Sequence, residues 1–169
     1  MYYIFVKMRV FTLQNSLFFL TIILVSIQFL PLQETNVISS PAEEIFIKNS
    51  ASTEAKKILK SACYDCHSNQ TKRPWFSKIA PFSFWINHHI KEGKERLNFS
   101  IWNTYSNKKA NHKIEECIEE VEKNKMPLSS YALFHPKAKL TIEEKEELIN
   151  YFKKMIKSGE NDRKQTLEH

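Results

Sequence analysis

Glycine is nearly absent from this chain of 169 residues, which holds only Gly93 and Gly159. A phosphate-binding loop needs several glycines within a few residues, so a nucleotide-binding loop of that kind is excluded. Glycine is also too rare for the closely spaced hairpins of an all-β sandwich. Because the hydrophobic share of 42% and the charged share of 26% are ordinary for folded proteins, disorder is excluded as well. The composition therefore predicts a folded, mostly helical chain.

Arginine is scarce too, since only four of the 25 basic residues are arginines. Surfaces that bind nucleic acid usually favour arginine for contacts to bases and phosphates. The net charge of +6 is partly local, because residues 1–32 hold Lys7 and Arg9 but no acid. The remainder carries 23 basic and 19 acidic residues, a net +4. We therefore expect no nucleic-acid partner, and a solvated surface of mixed sign that can dock an acidic protein.

One long apolar run, residues 10–32, stands near the N-terminus. As a helix rising 1.5 Å per residue it would be roughly 34 Å long, enough to cross the hydrocarbon core of a bilayer. Lys7 and Arg9 precede the run, and acids, the first of them Glu34, follow it. This charge order predicts an N-terminus inside the cell and the remainder outside. We expect a single-pass protein of the bacterial cytoplasmic membrane, with its folded part on the periplasmic side.

A cleaved signal peptide is the alternative to this anchor. Cleavage sites have small residues in a small-x-small pattern after the apolar stretch. The segment Ile27-Gln28-Phe29-Leu30-Pro31 offers bulky residues at that place instead. The sequence thus favours an uncleaved anchor, and either interpretation exports the chain.

Four helices are predicted beyond residue 52 from apolar residues that recur at helical spacing. Thr53 is expected to cap the first, and Thr141-Ile142-Glu143-Glu144 forms a capping-box pattern for the last, which should stop near Gly159. Between the helices lie two loops, residues 68–82 and 125–140, long enough to fold around something or to carry function. The predicted helices cover about residues 53–66, 83–97, 107–124 and 141–159.

The strongest chemical signal is the pentapeptide Cys63-Tyr64-Asp65-Cys66-His67. Cys-x-x-Cys-His is the attachment pattern of c-type haem. One helical turn separates the two thiols, so both can reach the vinyl groups on one porphyrin edge and form thioethers. The adjacent His67 then lies under the iron, where an imidazole nitrogen can serve as an axial ligand. The pattern predicts one covalent haem c, bound through Cys63 and Cys66, with His67 as a metal ligand.

Three other interpretations of the cysteines remain open. A structural disulfide between Cys63 and Cys66 suits an oxidising compartment but leaves His67 unexplained. A thioredoxin-like redox pair needs a βαβ context, which no stretch of the sequence suggests. A zinc site needs more ligands. The third cysteine, Cys117, stands alone on a predicted apolar helix face, where we expect an inert buried thiol.

The sixth ligand of the iron has more than one candidate. Met126 follows a predicted helix and begins the second long loop, so its thioether stands on irregular backbone that the next residue, a proline, stiffens. His88 and His89 are the alternatives, because His89 falls on the apolar stripe of its helix. A buried imidazole on such a stripe is more often an ordinary core residue, so Met126 is favoured. Weaker candidates are His112 and His135.

Side chains with N–H donors downstream of the motif are candidates for binding the haem propionates. They are Arg73, Trp75 and Trp85. For the tryptophans, packing in the core explains their presence equally well. Arg73 and Trp75 follow the motif most closely, and we count both among the predicted cofactor-binding residues.

Further motifs extend this pattern along the chain. They are Cys63-Tyr64-Asp65-Cys66-His67-Ser68-Asn69, Pro74-Trp75-Phe76-Ser77-Lys78-Ile79-Ala80-Pro81, Asn87-His88-His89-Ile90-Lys91-Glu92-Gly93, Leu97-Asn98-Phe99-Ser100 with Trp102, and Met126-Pro127-Leu128 with Tyr131, His135, Pro136 and Ala138. On these residues, the stretch from about 58 to 152 resembles the bacterial haem-binding domain family, membrane-anchored monohaem proteins related to cytochrome c. The resemblance implies an all-α, cytochrome c-like fold wrapped around one haem, with His67 below the iron and Met126 above it.

The motif and the resemblance together predict a membrane-tethered monohaem c-type cytochrome that transfers single electrons between redox proteins of the envelope. With both axial positions filled, the iron has no open site for a substrate, which favours a non-enzymatic role. If the sixth ligand is labile, the alternative is a haem peroxidase or a gas or redox sensor, with His88 or His89 as hydrogen-bond donor. A third class is an envelope interaction module that uses its cysteines structurally.

These interpretations divide the chain into four parts. Residues 1–32 are the signal-anchor or transmembrane segment, and residues 33–52 are a polar linker marked by Pro41 and other turn residues. Residues 53–158 form the c-type haem-binding domain, and residues 159–169 a flexible tail.

Overall fold

Every element of secondary structure in the described residues, which are 2–31 and 52–167 of a computed structural model, is helical. This confirms the all-helical class that the shortage of glycine predicts. The α-helices are α1 (Tyr2–Ser26), α2 (Thr53–Ala62), α3 (Tyr64–His67), α4 (Phe82–Arg96), α5 (Asn107–Glu122), α6 (Ser129–Phe134) and α7 (Ile142–Leu167). Short 3-10 turns cover Ile27–Phe29, Trp75–Lys78, Phe99–Thr104 and Pro136–Ala138.

The N-terminal helix α1 is exposed to solvent from Phe11 onward. The stretch Phe11–Phe29, which includes the 3-10 turn after α1, is 19 residues long and apolar enough to cross a membrane, and none of it is buried. Compared with the predicted helix over residues 10–32, α1 begins earlier, at Tyr2, and ends earlier, at Ser26. Residues 2–31 group with residues 73–88 in one unit of the fold, and residues 52–72 with 89–167 in another.

The second of these units has its own apolar core. Helix α7 packs against α5 and α2, because each helix carries apolar side chains on one face. Burial of each large side chain contributes about 1.5–3 kcal/mol relative to exposure. The core residues are Ala55, Ile58, Leu59, Tyr64, Leu97, Phe99, Trp102, Ile114, Val121, Leu148, Tyr151, Phe152 and Met155.

Helix α2 is capped one residue earlier than predicted. The Ser52 hydroxyl, rather than that of Thr53, accepts a hydrogen bond from the backbone N–H of Ala55 at 3.0 Å. Ser52 has extended backbone (φ −58°, ψ 156°), as a cap position requires. The same hydroxyl donates to the Glu147 carboxylate at 2.7 Å, so the cap also connects the start of α2 to α7.

Helix α7 confirms the predicted capping box and corrects the predicted end. The N–H of Glu144 donates to the Thr141 hydroxyl at 3.1 Å, and the N–H of Thr141 donates to the Glu144 carboxylate at 2.9 Å. The helix then runs to Leu167, so the expected stop near Gly159 is wrong. A glycine inside a helix costs only about 1 kcal/mol, and no proline follows it.

Candidate haem-binding site

The motif residues lie on one short turn, α3, directly after α2. Cys63 stands between the two helices, and the N–H of His67 donates to its carbonyl at 2.9 Å. Residues three apart on a helical turn lie on the same face. The turn therefore brings the thiols of Cys63 and Cys66 to one side, and both thiols are free.

The imidazole of His67 is oriented by the backbone of α4. Its Nδ1 lies 2.9 Å from the carbonyl oxygen of Gly93 and 3.2 Å from that of Leu97. Carbonyl oxygens only accept hydrogen bonds, so Nδ1 carries the proton and Nε2 keeps its lone pair. Burial lowers the pKa of His67, which keeps the ring neutral at pH 7. A neutral imidazole with a free Nε2 is the form that binds a metal.

Gly93 is the point of closest approach between α4 and α3. A Cβ atom at this position would stand 2.6 Å from the carbonyl oxygen of Cys66 and 3.1 Å from its Cβ. Real Cβ atoms do not approach backbone so closely, and the obstructing oxygen is part of the turn itself. Glycine is therefore required here for packing, because only its bare backbone lets His67 reach the α4 carbonyls.

All three thiols are held in the neutral form. Burial raises the pKa of Cys66 to about 11, with the negative charge of Asp65 adding to the effect and Lys94 opposing it. Burial also raises the pKa of Cys63, and the neighbouring Cys117 and Cys66 raise it further. Cys117, with a pKa raised by burial to about 12, is thus a neighbour of Cys63. No sequence pattern predicts this proximity, because Cys63 stands between α2 and α3 whereas Cys117 lies on α5.

The other side of α3 is tied to α6 through side chains. The Tyr131 hydroxyl donates to Oδ2 of Asp65 at 2.7 Å, and the N–H of Lys72 donates to Oδ1 at 2.9 Å. The Tyr131 ring stacks on His135 with centroids 4.2 Å apart, and Nδ1 of His135 is 3.1 Å from the Tyr131 carbonyl. Asp65, a variable position within the motif pattern, thereby anchors the helix that follows Met126.

Met126 is half-buried and lies shortly after the end of α5 at Glu122. The N–H of Asn124 donates to the Val121 carbonyl at 3.1 Å, and that of Lys125 to the Glu120 carbonyl at 2.9 Å. Asn124 has φ +56°. This is a Schellman motif, which terminates helices with a left-handed residue. The N–H of Met126 also donates to the Glu120 carbonyl, at 3.1 Å, so its backbone is fixed to the last turn of α5.

The candidate histidines occupy different environments. His89 is half-buried and lies one turn before Gly93 on α4, whereas the adjacent His88 is exposed. His112 is exposed on α5, with Nε2 3.5 Å from the Glu116 carboxylate. His89 is thus the one of these three that lies on the α4 stripe containing Gly93.

The residues predicted to bind propionates lie in the other unit, with residues 2–31. Arg73 is half-buried, and its guanidinium donates to the side-chain oxygen of Asn87 at 2.6 Å. Trp75 is 78% exposed and Trp85 47% exposed. Neither tryptophan is a core residue, so the packing explanation for them is wrong, and their role toward a cofactor stays a prediction.

A buried amide beside the motif lacks a partner among the described residues. The N–H of Ser100 donates to the side-chain oxygen of Asn98, so the Asn98 amide nitrogen must donate to the oxygen of Asn69, at 2.9 Å. The nitrogen of Asn69 is then left buried without an acceptor, which costs about 1–3 kcal/mol unless one is supplied. A haem bears carboxylates that accept such bonds. This donor, the free Nε2 of His67 and the two thiols all fit the group.

Comparison with known proteins agrees with this fit. No curated protein and no solved structure matches the chain. The sequence model of the haem-binding domain family matches residues 22–154, well over half of the chain. The match begins within α1, ends within α7 and includes α3 and Met126. The chain therefore belongs to the haem-binding domain family, and its cofactor is haem.

Proposed function

We propose that the protein is a membrane-anchored c-type cytochrome that holds one haem covalently and passes single electrons outside the cytoplasmic membrane. The observation that carries the proposal is the turn α3, where two free thiols precede an imidazole whose Nδ1 is committed to backbone carbonyls. A haem bound there supplies one-electron chemistry at its iron. Nε2 of His67 would bind the iron.

Cys63 and Cys66 form the covalent attachment. Each of the two sulfurs would hold the haem through a thioether to one of its two vinyl groups. Because the thiolate is the reactive form of cysteine, the raised pKa values of both thiols protect them from oxidants before attachment. Attachment then depends on a dedicated enzyme system that presents reduced thiols to haem.

Met126 is the sixth ligand in this proposal, and the geometry of His67 supports it over His89. Nδ1 and Nε2 lie on different edges of the imidazole, and Nδ1 faces the α4 carbonyls, so Nε2 faces away from them. His89 shares the α4 stripe with Gly93, on the side from which Nε2 faces away. Met126 instead precedes α6, which the Tyr131–Asp65 hydrogen bond holds against α3.

His67 and Met126 would both hold the iron, an arrangement that would suit electron transfer rather than turnover of a substrate. The partners are redox proteins of the envelope. The lysine-rich surface favours acidic ones, since complementary charge speeds association. The apolar stretch Phe11–Phe29 is the anchor, with Lys7 and Arg9 on the cytoplasmic side by the positive-inside rule.

Mass spectrometry and absorption spectra of the protein matured with a haem-attachment system test the proposal. We expect one haem-sized increment on the peptide that contains Cys63 and Cys66, and a methionine–iron charge-transfer band in the ferric protein. Met126→Ala should abolish the band, whereas Met155→Leu, a conservative change in the core, should retain it. A colourless protein of unmodified mass would refute covalent attachment, and rapid binding of carbon monoxide by the reduced wild type would refute the closed iron site.

A further inference from the structure

Residues 73–88 expose an unusual amount of aromatic surface. Trp75 is 78% exposed, Phe82 59% and Trp85 47%, and Ile79 and Phe84 are exposed as well. Exposed large apolar side chains concentrated in one short segment indicate a site of interaction with protein or membrane. Because tryptophan combines a large apolar ring with one N–H donor, it is the side chain that best suits a boundary between water and apolar material.

The same segment is fastened to the end of α1 by a pair of hydrogen bonds. The side-chain nitrogen of Gln28 donates to the Ala80 carbonyl at 3.1 Å, and its oxygen accepts from the Ala80 N–H at 3.0 Å. Gln28 also donates to the Leu24 carbonyl at 2.9 Å, which fixes the side chain to the helix. Gln28 is the next-to-last residue of the apolar stretch Phe11–Phe29. Ala80 is thereby held at the level where that stretch ends.

The charges of this unit point to the kind of surface it meets. Residues 2–31 and 73–88 contain none of the 19 acidic residues of the chain. Their charged residues are four cations: Lys7 and Arg9 precede the apolar stretch, whereas Arg73 and Lys78 belong to the segment that is bonded to its other end and are the two that can meet lipid there. A cationic surface without acids is attracted to anionic lipid headgroups, and long cationic side chains can reach the headgroups while their stems stay in apolar surroundings.

We propose that residues 73–88 form an interfacial segment, in which Trp75, Phe82 and Trp85 enter the headgroup region of the bilayer that α1 crosses. The proposal rests on the membrane anchor of the proposed function. The Gln28–Ala80 hydrogen bonds set the depth of the segment, the aromatic rings bind at the boundary where such rings concentrate in membrane proteins, and Arg73 and Lys78 face anionic lipid. The occupant of the exposed aromatic surface is therefore lipid, and Trp75 and Trp85 would then not bind the haem propionates.

Photolabelling of the full-length haem protein in lipid nanodiscs tests this. The nanodiscs contain equal parts of phosphatidylethanolamine and phosphatidylglycerol, with a trace of phospholipid that bears a diazirine near the carbonyl end of one acyl chain. After illumination, mass spectrometry maps the labelled peptides. We expect label on the peptide with Trp75 and Trp85 as well as on α1. The matched control is the peptide of α6, whose Leu133 and Phe134 are also exposed and should remain unlabelled.

The possible results distinguish the interfacial segment from the membrane anchor. Label on α1 without label near Trp75 would overturn the interfacial segment and leave the anchor intact, whereas an unlabelled α1 would refute both. Equal label on the α6 peptide, or crosslinks joining Trp75 peptides of two chains, would also overturn the interfacial segment. Gln28→Leu keeps α1 apolar but removes both bonds to Ala80, so label near Trp75 should fall about tenfold while label on α1 is unchanged.

Discussion

The turn α3 is held on its two sides by contacts of different kinds. On the α4 side, His67 donates to main-chain carbonyls and Gly93 lies against the Cys66 carbonyl. On the α6 side, the contact is between side chains, Asp65 and Tyr131. Main-chain carbonyls cannot be altered by substitution, so the α4 side is a fixed reference for the ring of His67. The α6 side can be weakened by a single side-chain change without moving that reference.

The α4 side is broken most strongly by Gly93→Ala. The added Cβ would stand 2.6 Å from a backbone oxygen, so α3 and α4 must separate, and we expect a loss of about 2–3 kcal/mol in unfolding free energy. Thermal or urea unfolding measures it. The control is Gly159→Ala, inside α7, where alanine should instead stabilise by up to about 1 kcal/mol. Equal effects of the two substitutions would mean that the α3–α4 contact is not tight.

The pKa of the Cys66 thiol depends on its burial and on two nearby charges, Asp65 and Lys94. Burial raises its pKa from 9.0 to about 11, so the folded state keeps a proton that the unfolded state loses at a lower pH. The associated stability, at most about 2.7 kcal/mol, is present below about pH 9 and is lost as the pH rises through 11. Urea unfolding of the chain before haem attachment, between pH 8 and 11, measures this loss together with those of Cys63 and Cys117, whose pKa values burial also raises. Cys66→Ser should therefore reduce the pH dependence without abolishing it, and an unchanged slope would contradict the assignment.

The α6 side is weakened by Tyr131→Phe. Asp65 loses one donor, which should cost about 1.5 kcal/mol, and the segment with Met126 is held less firmly against α3. Imidazole, added to the ferric protein as a competing sixth ligand, should therefore bind several-fold more tightly.

Tyr105→Phe provides the matched control for this change. The Tyr105 hydroxyl accepts from the N–H of Asn98 at 3.0 Å, so its removal costs a similar hydrogen bond away from α6. If both variants bind imidazole equally well, Tyr131 has no role in holding Met126.

The smallest effect is expected at the start of the Met126 segment. Asn124 has φ +56°, which glycine adopts freely and alanine adopts at a cost of about 1 kcal/mol. Asn124→Ala should therefore destabilise by about that amount, and Asn124→Gly by a few tenths of a kcal/mol. Chemical unfolding of the two variants tests the order. Both variants lose the side-chain oxygen that accepts from Lys145, so an equal and larger destabilisation by the two would show that this side chain matters more than the backbone.

Sequence patterns predicted those parts of this site whose residues are close together in the chain. The motif and the helices α4, α5 and α7 were predicted from spacings of three or four residues. The predicted ends of these helices differ from the observed ends by a few residues at most, except at the end of α7. Helix α6 was missed because six residues contain too few repeats for a periodic pattern. The 3-10 turns were missed for the same reason.

Contacts between distant residues could not be foreseen. Asp65 and Tyr131 are 66 residues apart, and His67 and Gly93 are 26 apart. No sequence pattern connects the two members of either pair, because only tertiary packing brings them together. The one available signal was a glycine in the interior of the predicted helix over residues 83–97, since glycine is unfavourable there unless close packing requires it.

The hydrogen bonds at Nδ1 of His67 also have an electronic consequence. Two carbonyl acceptors draw the Nδ1 proton away from the ring, which makes Nε2 a more basic electron donor. A stronger donor stabilises ferric over ferrous iron and lowers the reduction potential. A methionine on the opposite face has the contrary effect, because thioether ligation raises the potential. In the proposed cytochrome, the backbone of α4 and the sulfur of Met126 would therefore set the potential by acting in opposite directions.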